Sequence, residues 1–334
     1  MKIGVIGAGT WGVALARMLT NSNHDVIIWS AIESEIDELS SSRTHKNLPG
    51  MVIPEATKFT KTLEKAITGM DIVLMAVPSP FVRSTTAKLA KFITDGQIIV
   101  DVAKGIEKET LFTMTDIIRD ELSKCSTAKD VKLVALSGPT HAEEVAKDLP
   151  TTIVSACEDQ DTALIVQDVF MNTCMRVYTN SDVLGVELCG AMKNIIALAT
   201  GISTGLGFGD NTKAALITRG IAEIKRLGLK MGCDNDTFAG LAGIGDLIVT
   251  ATSEHSRNNR CGKLIGKGMS PDDAIKEVGM VVEGINALPA AISLAKKYEV
   301  ELPITETAYD IVFGGIDPKT AVIKLMTRDK KSEI

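Results

Sequence analysis

The sequence predicts an α/β fold: a doubly wound, mostly parallel sheet in the first half, followed by an all-helical second half. Three observations lead there. A glycine-rich turn, G-A-G-T-W-G at residues 7–12, directly follows an apolar run and opens a helical pattern. Near-continuous apolar runs then alternate with helical stretches as far as residue 180, the pattern of strands covered on both faces. Beyond that point such runs nearly vanish, and apolar residues recur at helical spacing through to Met326. These features place a Rossmann-type dinucleotide-binding domain at 1–180, a helical domain at 181–327 and a polar tail at 328–334.

The first strand is the run 2–6, and the glycines after it have separate tasks. Gly7 permits a tight turn, Gly9 lets backbone approach a pyrophosphate, and Gly12 lets the helix that continues over 13–19 pack closely on the strand. That helix then points its N-terminus at the anion. Further strands are expected at 25–29, 71–77, 97–102, 131–136, 151–155 and 175–178, with helices at 33–40, 80–92, 111–122 and 162–170 between them. In the second half a glycine-rich stretch, 201–211, interrupts the helical pattern and ends on Asn211, an expected N-cap for the helix from Thr212 onward.

The chain has 334 residues, enough for two cores, and carries 36 Lys+Arg against 42 Asp+Glu. A net charge of −6 argues against a nucleic-acid partner, so an anionic ligand would need a local basic pocket. No apolar run reaches the length of a membrane span, and Met1-Lys2 leads straight into the first strand, so a cytoplasmic location is expected. The six cysteines and four histidines are scattered, so neither a disulfide framework nor a metal site is expected.

Ligands of open parallel sheets bind beyond the carboxyl ends of the strands. There the chain offers Val77-Pro78-Ser79-Pro80, Ala103-Lys104-Gly105 and Ser137-Gly138-Pro139-Thr140. A strand-end lysine is a surface charge in most proteins, but Lys104 is placed at the ligand crevice. In the helical half, Lys193-Asn194 lies within a small and apolar helix, where a lysine either snorkels or takes part in proton exchange. Asp246 follows two glycines as a carboxylate or a helix cap. Arg257-Asn258 sets a guanidinium fork beside an amide, suited to a phosphate dianion or to a solvated loop.

Taken together, these residues resemble the bacterial-type NAD(P)-dependent sn-glycerol-3-phosphate dehydrogenases over nearly the whole chain. G-A-G-T-W-G, A-K-G at 103–105, S-G-P-T at 137–140, G-A-M-K-N at 190–194, G-F-G-D-N at 207–211, T-R-G at 218–220, G-x-G-D at 243–246, S-R-N at 256–258 and V-E-G at 282–284 occur in family order. The resemblance implies reduction of dihydroxyacetone phosphate to sn-glycerol 3-phosphate, or the reverse, for glycerophospholipid synthesis. It implies Lys193 as proton donor, with Lys104 and Asp246 holding its charge state and orientation. Substrate contacts would come from Lys104, Gly138, Thr140, Asn194, Asp246, Thr250, Ser256, Arg257 and Asn258. Cofactor contacts would come from Gly7, Gly9, Thr10, Trp11, Gly12, Ser30, Lys104, Ala142, Arg257, Val281 and Glu283. A homodimer is implied as well.

Two positions depart from the family pattern. Ser30-Ala31 offers neither the strand-end acid of an NAD enzyme nor the basic residue of an NADP enzyme. The absent acid leaves room for a 2'-phosphate with Ser30 as donor, so the reading leans to NADPH with NADH also accepted. Cys189 replaces a glycine and reads as a buried inert thiol, the alternative being the nucleophile of a nucleotide-sugar dehydrogenase. Other readings are a different β-hydroxyacid dehydrogenase with a catalytic lysine, and a nucleotide sensor without turnover. The sensor would have no need of Lys193, Lys104 and Asp246.

Overall fold

The computed structural model describes residues 1–125, 130–171, 173–330 and 332, so part of the polar tail lies outside the described residues. Eight strands form one sheet in the order β3-β2-β1-β4-β5-β6-β7-β8. They are β1 (Lys2–Ile6), β2 (Asp25–Trp29), β3 (Lys58–Thr60), β4 (Ile72–Met75), β5 (Ile98–Asp101), β6 (Lys132–Ser137), β7 (Thr151–Ala156) and β8 (Met175–Asn180). Every pair is parallel except β6 with β7. The sheet therefore reverses its winding at β1, between β2 and β4, which is where such sheets bind ligands.

Helices α1 (Thr10–Asn21), α2 (Glu33–Ser42), α3 (Val82–Leu89), α4 (Met114–Ser123), α5 (Ala142–Val145) and α6 (Gln160–Phe170) connect the strands. Alternate strand residues enter two cores. Ile3, Val5, Ile72 and Leu74 join Leu15 and Leu19 of α1 and Val166 of α6, while Ile6, Val73 and Met75 join Val82 and Leu89 of α3 and Ile117 and Ile118 of α4. Each fully buried side chain of this kind contributes about 1.5–3 kcal/mol relative to exposure. Burial on both faces is why the central strands read as unbroken apolar runs.

The second half is helical: α7 (Val183–Gly205), α8 (Asp210–Met231), α9 (Asp246–Thr252), α10 (Arg257–Gly266), α11 (Pro271–Val278), α12 (Glu283–Tyr298), α13 (Pro303–Phe313) and α14 (Pro318–Met326). α7 is long and apolar enough to cross a membrane by length and composition, yet 89% of its apolar window is buried in the fold, as befits a core helix. The chain divides into two compact units, one of Met1–Glu107 and Phe112–Glu187 and another of Lys108–Leu111 and Leu188–Ile334.

Two local expectations are corrected. The cap of α8 is Gly209, not Asn211, which lies inside the first turn. The edge strand β3 was not foreseen, because three residues paired only with β2 carry too little periodicity to register.

Candidate active site

In the first unit the glycine turn is shaped for close backbone approach. Gly7 has φ +123°, and a Cβ there would stand 2.6 Å from the Ala76 carbonyl oxygen, so no other residue fits. Its N–H donates to the Trp29 carbonyl at 2.8 Å, tying the turn to the end of β2. An added Cβ on Gly9 would meet nothing within 4 Å, leaving open space in front of α1. Gly9 caps α1 without a side-chain bond, and Val13 makes the first bond back to it, at 3.0 Å. The N–H groups of Thr10, Trp11 and Gly12 thus head a helix N-terminus with the positive end facing out, and this turn fits a pyrophosphate.

Ser30 lies at the end of β2 and is buried. Its hydroxyl donates to Glu35 Oε2 at 2.6 Å and accepts from the Ile32 N–H at 3.1 Å. The hydroxyl is therefore engaged, which corrects the expectation that it stands ready as a donor to a 2'-phosphate.

At the ends of β5 and β6 the three expected groups converge. A Cβ on Gly105 would stand 2.4 Å from Ser79 Cβ, so the glycine is what lets the loop after β5 press against the turn after β4. Lys104, half-buried beside it, donates from Nζ to the Gly138 carbonyl at 3.1 Å, and Thr140 Oγ1 donates to the same oxygen at 3.1 Å. Ala142, buried, begins α5 immediately beyond.

Sequence reasoning missed a buried acidic pair in this unit. Both carboxylate oxygens of Asp101 are buried, and burial, then the nearby Glu187, pushes its pKa well above the usual carboxylate range against the opposing effect of the Ala103 backbone N–H. Glu187 accepts from Thr115 N and Oγ1 and from Thr113 Oγ1 at 2.5–2.8 Å, yet burial still raises its pKa. No sequence signal marked Asp101, since it ends an apolar strand like any turn-side acid.

In the second unit the structure joins residues far apart in sequence. A π-turn over Leu241–Gly245, closed by Gly245 N donating to Gly240 O at 3.2 Å, delivers Asp246 as the first residue of α9. Asp246 is fully buried and accepts from Lys193 Nζ, whose side chain is only 6% exposed. Thr250, one turn further along α9, accepts from the same Nζ at 2.8 Å. A buried ammonium held between a carboxylate and a hydroxyl is thus fixed in position on α7. Snorkelling to solvent is ruled out by that burial.

Asn194, beside it, donates from Nδ2 to Gly190 O at 3.2 Å and accepts from Asn258 Nδ2 at 2.9 Å. Asn258 Oδ1 in turn accepts from Gly284 N at 2.8 Å. This amide chain links α7, the first turn of α10 and the first turn of α12, which Glu283 opens, with Val281 two residues before it. Ser256 is the N-cap of α10, accepting from Asn259 N at 3.2 Å, so its hydroxyl closes the helix end. Arg257 and Asn258 are then the first two residues of a capped helix whose leading N–H groups point outward. Cys189 is buried on α7, which fits an inert thiol.

Residues 2–163 match the family model described as NAD-dependent glycerol-3-phosphate dehydrogenase N-terminus, and residues 182–323 match that of its C-terminus. A glycerol-3-phosphate dehydrogenase of the NAD(P)+ type from Lactobacillus delbrueckii subsp. bulgaricus is 67% identical over 333 residues, covering 100% of this chain and 99% of its own. One from Agathobacter rectalis is 52% identical, covering 99% and 97%. The crystal structure of glycerol-3-phosphate dehydrogenase from Coxiella burnetii superposes with a TM-score of 0.92 at 35% identity, covering 98% of this chain and 99% of that one.

Proposed function

The chain belongs to the NAD-dependent glycerol-3-phosphate dehydrogenase family, and on that premise we propose that Lys193 is the proton donor in its reduction of dihydroxyacetone phosphate. It is an NAD(P)-dependent oxidoreductase. Bound NADH or NADPH supplies the hydride that the ketone carbon receives. Lys193 Nζ gives a proton to the ketone oxygen as negative charge develops there, and takes it back in the oxidative direction. Asp246 and Thr250 hold Nζ in place, so its position is set before substrate arrives and no reorganisation is needed during the step.

The substrate phosphate is assigned to the N-terminus of α10. The backbone N–H groups of Arg257 and Asn258 and the Arg257 guanidinium give a dianion both dipole and charge. The side chain of Asn258 is engaged by Asn194 and Gly284, so it positions this helix end against α7 and α12. Lys104, Gly138 and Thr140 are assigned to substrate, Lys104 and Arg257 also to cofactor. Thr10, Trp11, Ala142, Val281 and Glu283 are assigned to cofactor. Supply of the glycerol backbone for phospholipids, a cytoplasmic location and a homodimeric state complete the reading.

The observation that carries it is the buried Lys193, Asp246, Thr250 cluster. A nucleotide sensor has no use for a desolvated ion pair that costs stability to build. The test is oxidation of NADH or NADPH by purified protein on addition of dihydroxyacetone phosphate. Cofactor binding without turnover would contradict it.

A further inference from the structure

We propose that Glu35 selects NADH over NADPH by receiving the adenosine ribose 2'-hydroxyl. This rests on the reading of the first unit as a dinucleotide site. β2 is the immediate parallel neighbour of β1, in register to Ile6 opposite Trp29, and Gly7 N–H donates to Trp29 O. Ser30 therefore stands beside the glycine turn, at the strand end where this architecture places the adenosine ribose. An acid is present there after all, supplied by the first turn of α2 instead of the strand itself.

Ser30 is what puts it there. Buried, and accepting from the Ile32 N–H at 3.1 Å, it donates to Glu35 Oε2 at 2.6 Å and so draws the carboxylate back to the end of β2. No other described residue hydrogen-bonds Glu35, so Oε1 is available to accept from a ribose hydroxyl. A carboxylate acceptor is among the stronger partners a hydroxyl can have.

A 2'-phosphate would meet the wrong surroundings. Ala31 and Ile32 bring no cation, and α2 carries Glu33, Glu35, Asp37 and Glu38 without a basic residue. Arg43 donates to the carbonyls of Pro54 and Thr57 at 3.1 and 2.8 Å and stacks on Phe59, and Lys61 pairs with Asp37 and Glu33. His45 faces Glu35 and the Ala8 backbone, and its burial lowers its pKa, which disfavours the charged imidazolium. Lys46 is exposed, where a flexible ammonium is screened. A phosphate dianion would thus lie against a fixed carboxylate with no committed counter-charge.

The experiment measures dissociation constants for NADH and NADPH by quenching of tryptophan fluorescence, at one ionic strength, in the wild type, Glu35→Gln and Ser30→Ala. The wild type should bind NADH at least about 10-fold more tightly than NADPH. Glu35→Gln should weaken NADH and strengthen NADPH, bringing the two within about 3-fold, and Ser30→Ala should move the ratio the same way by less. Wild-type affinity for NADPH equal to or above that for NADH would overturn the proposal, as would an unchanged ratio in Glu35→Gln. If the wild type binds neither dinucleotide, the nucleotide-site reading falls with it.

Discussion

Breaking the Lys193–Asp246 pair and replacing it should have opposite effects on stability, and the contrast separates what the pair does for the fold from what it does for the reaction. Both side chains are almost wholly removed from water, at 6% and 0% exposure. In Asp246→Asn the lysine keeps its burial but loses its charge partner, which by comparison with other buried pairs costs about 3–5 kcal/mol. Lys193→Met with Asp246→Leu removes both charges and fills similar volume, and such replacements are neutral or stabilising by up to about 4 kcal/mol. Thr250 would lose the Lys193 bond in the double variant, a penalty of about 1 kcal/mol that narrows the gain. The assay is urea unfolding followed through amide exchange of α7 and α9, with turnover measured alongside. The expected pattern is a destabilised single variant, a double variant at least as stable as wild type, and no turnover in the double. A double variant as unstable as the single would refute the reasoning, because the pair would then be holding the fold together.

Other outcomes follow from the same structure. Arg257→Gln should raise KM for dihydroxyacetone phosphate by about 10- to 100-fold while kcat moves little, since the lost interaction is remote binding to the phosphate; a kcat loss with unchanged KM would place Arg257 elsewhere. Glu223 is buried and its pKa is raised to about 7 by that burial, despite accepting from Ile304 N and from Thr305 N and Oγ1. Its unfolded value is near 4.5, so stability is fully present below that pH and falls as pH rises to about 7, by up to about 3 kcal/mol, because only the unfolded chain releases the proton there. Glu223→Gln should flatten this slope in denaturant titrations, and an unchanged slope would exclude Glu223 as its source. Asp101→Asn should be as stable as wild type or more so at neutral pH, since burial penalises the charged carboxylate in the native state and not in the unfolded one; a loss of several kcal/mol in thermal unfolding would count against that.

Much of the fold was legible because the central strands are buried on both faces, which leaves unbroken apolar runs such as 72–75 and 98–100. β3 escaped because it is a three-residue edge strand. Gly209 displaced Asn211 as the cap of α8 because a run of turn residues offers several chemically acceptable starts. The position of Lys104 just beyond β5 was legible in the sequence. Lys193 and Thr250 lie 57 residues apart, and no local pattern joins them. The joint role proposed for them came only from family resemblance. Glu35 was missed for a related reason: the expected acid was sought at the strand end, whereas a buried serine recruits it from the next helix.

The central claim is that Lys193 Nζ, positioned by Asp246 and Thr250, transfers the proton. The most direct measurement is kcat of Lys193→Ala for dihydroxyacetone phosphate, taken together with its dissociation constant for NADH. A fall in kcat of at least about 100-fold with NADH binding unchanged is the predicted result. A kcat within about 3-fold of wild type would contradict the account, because the proton would then come from another group.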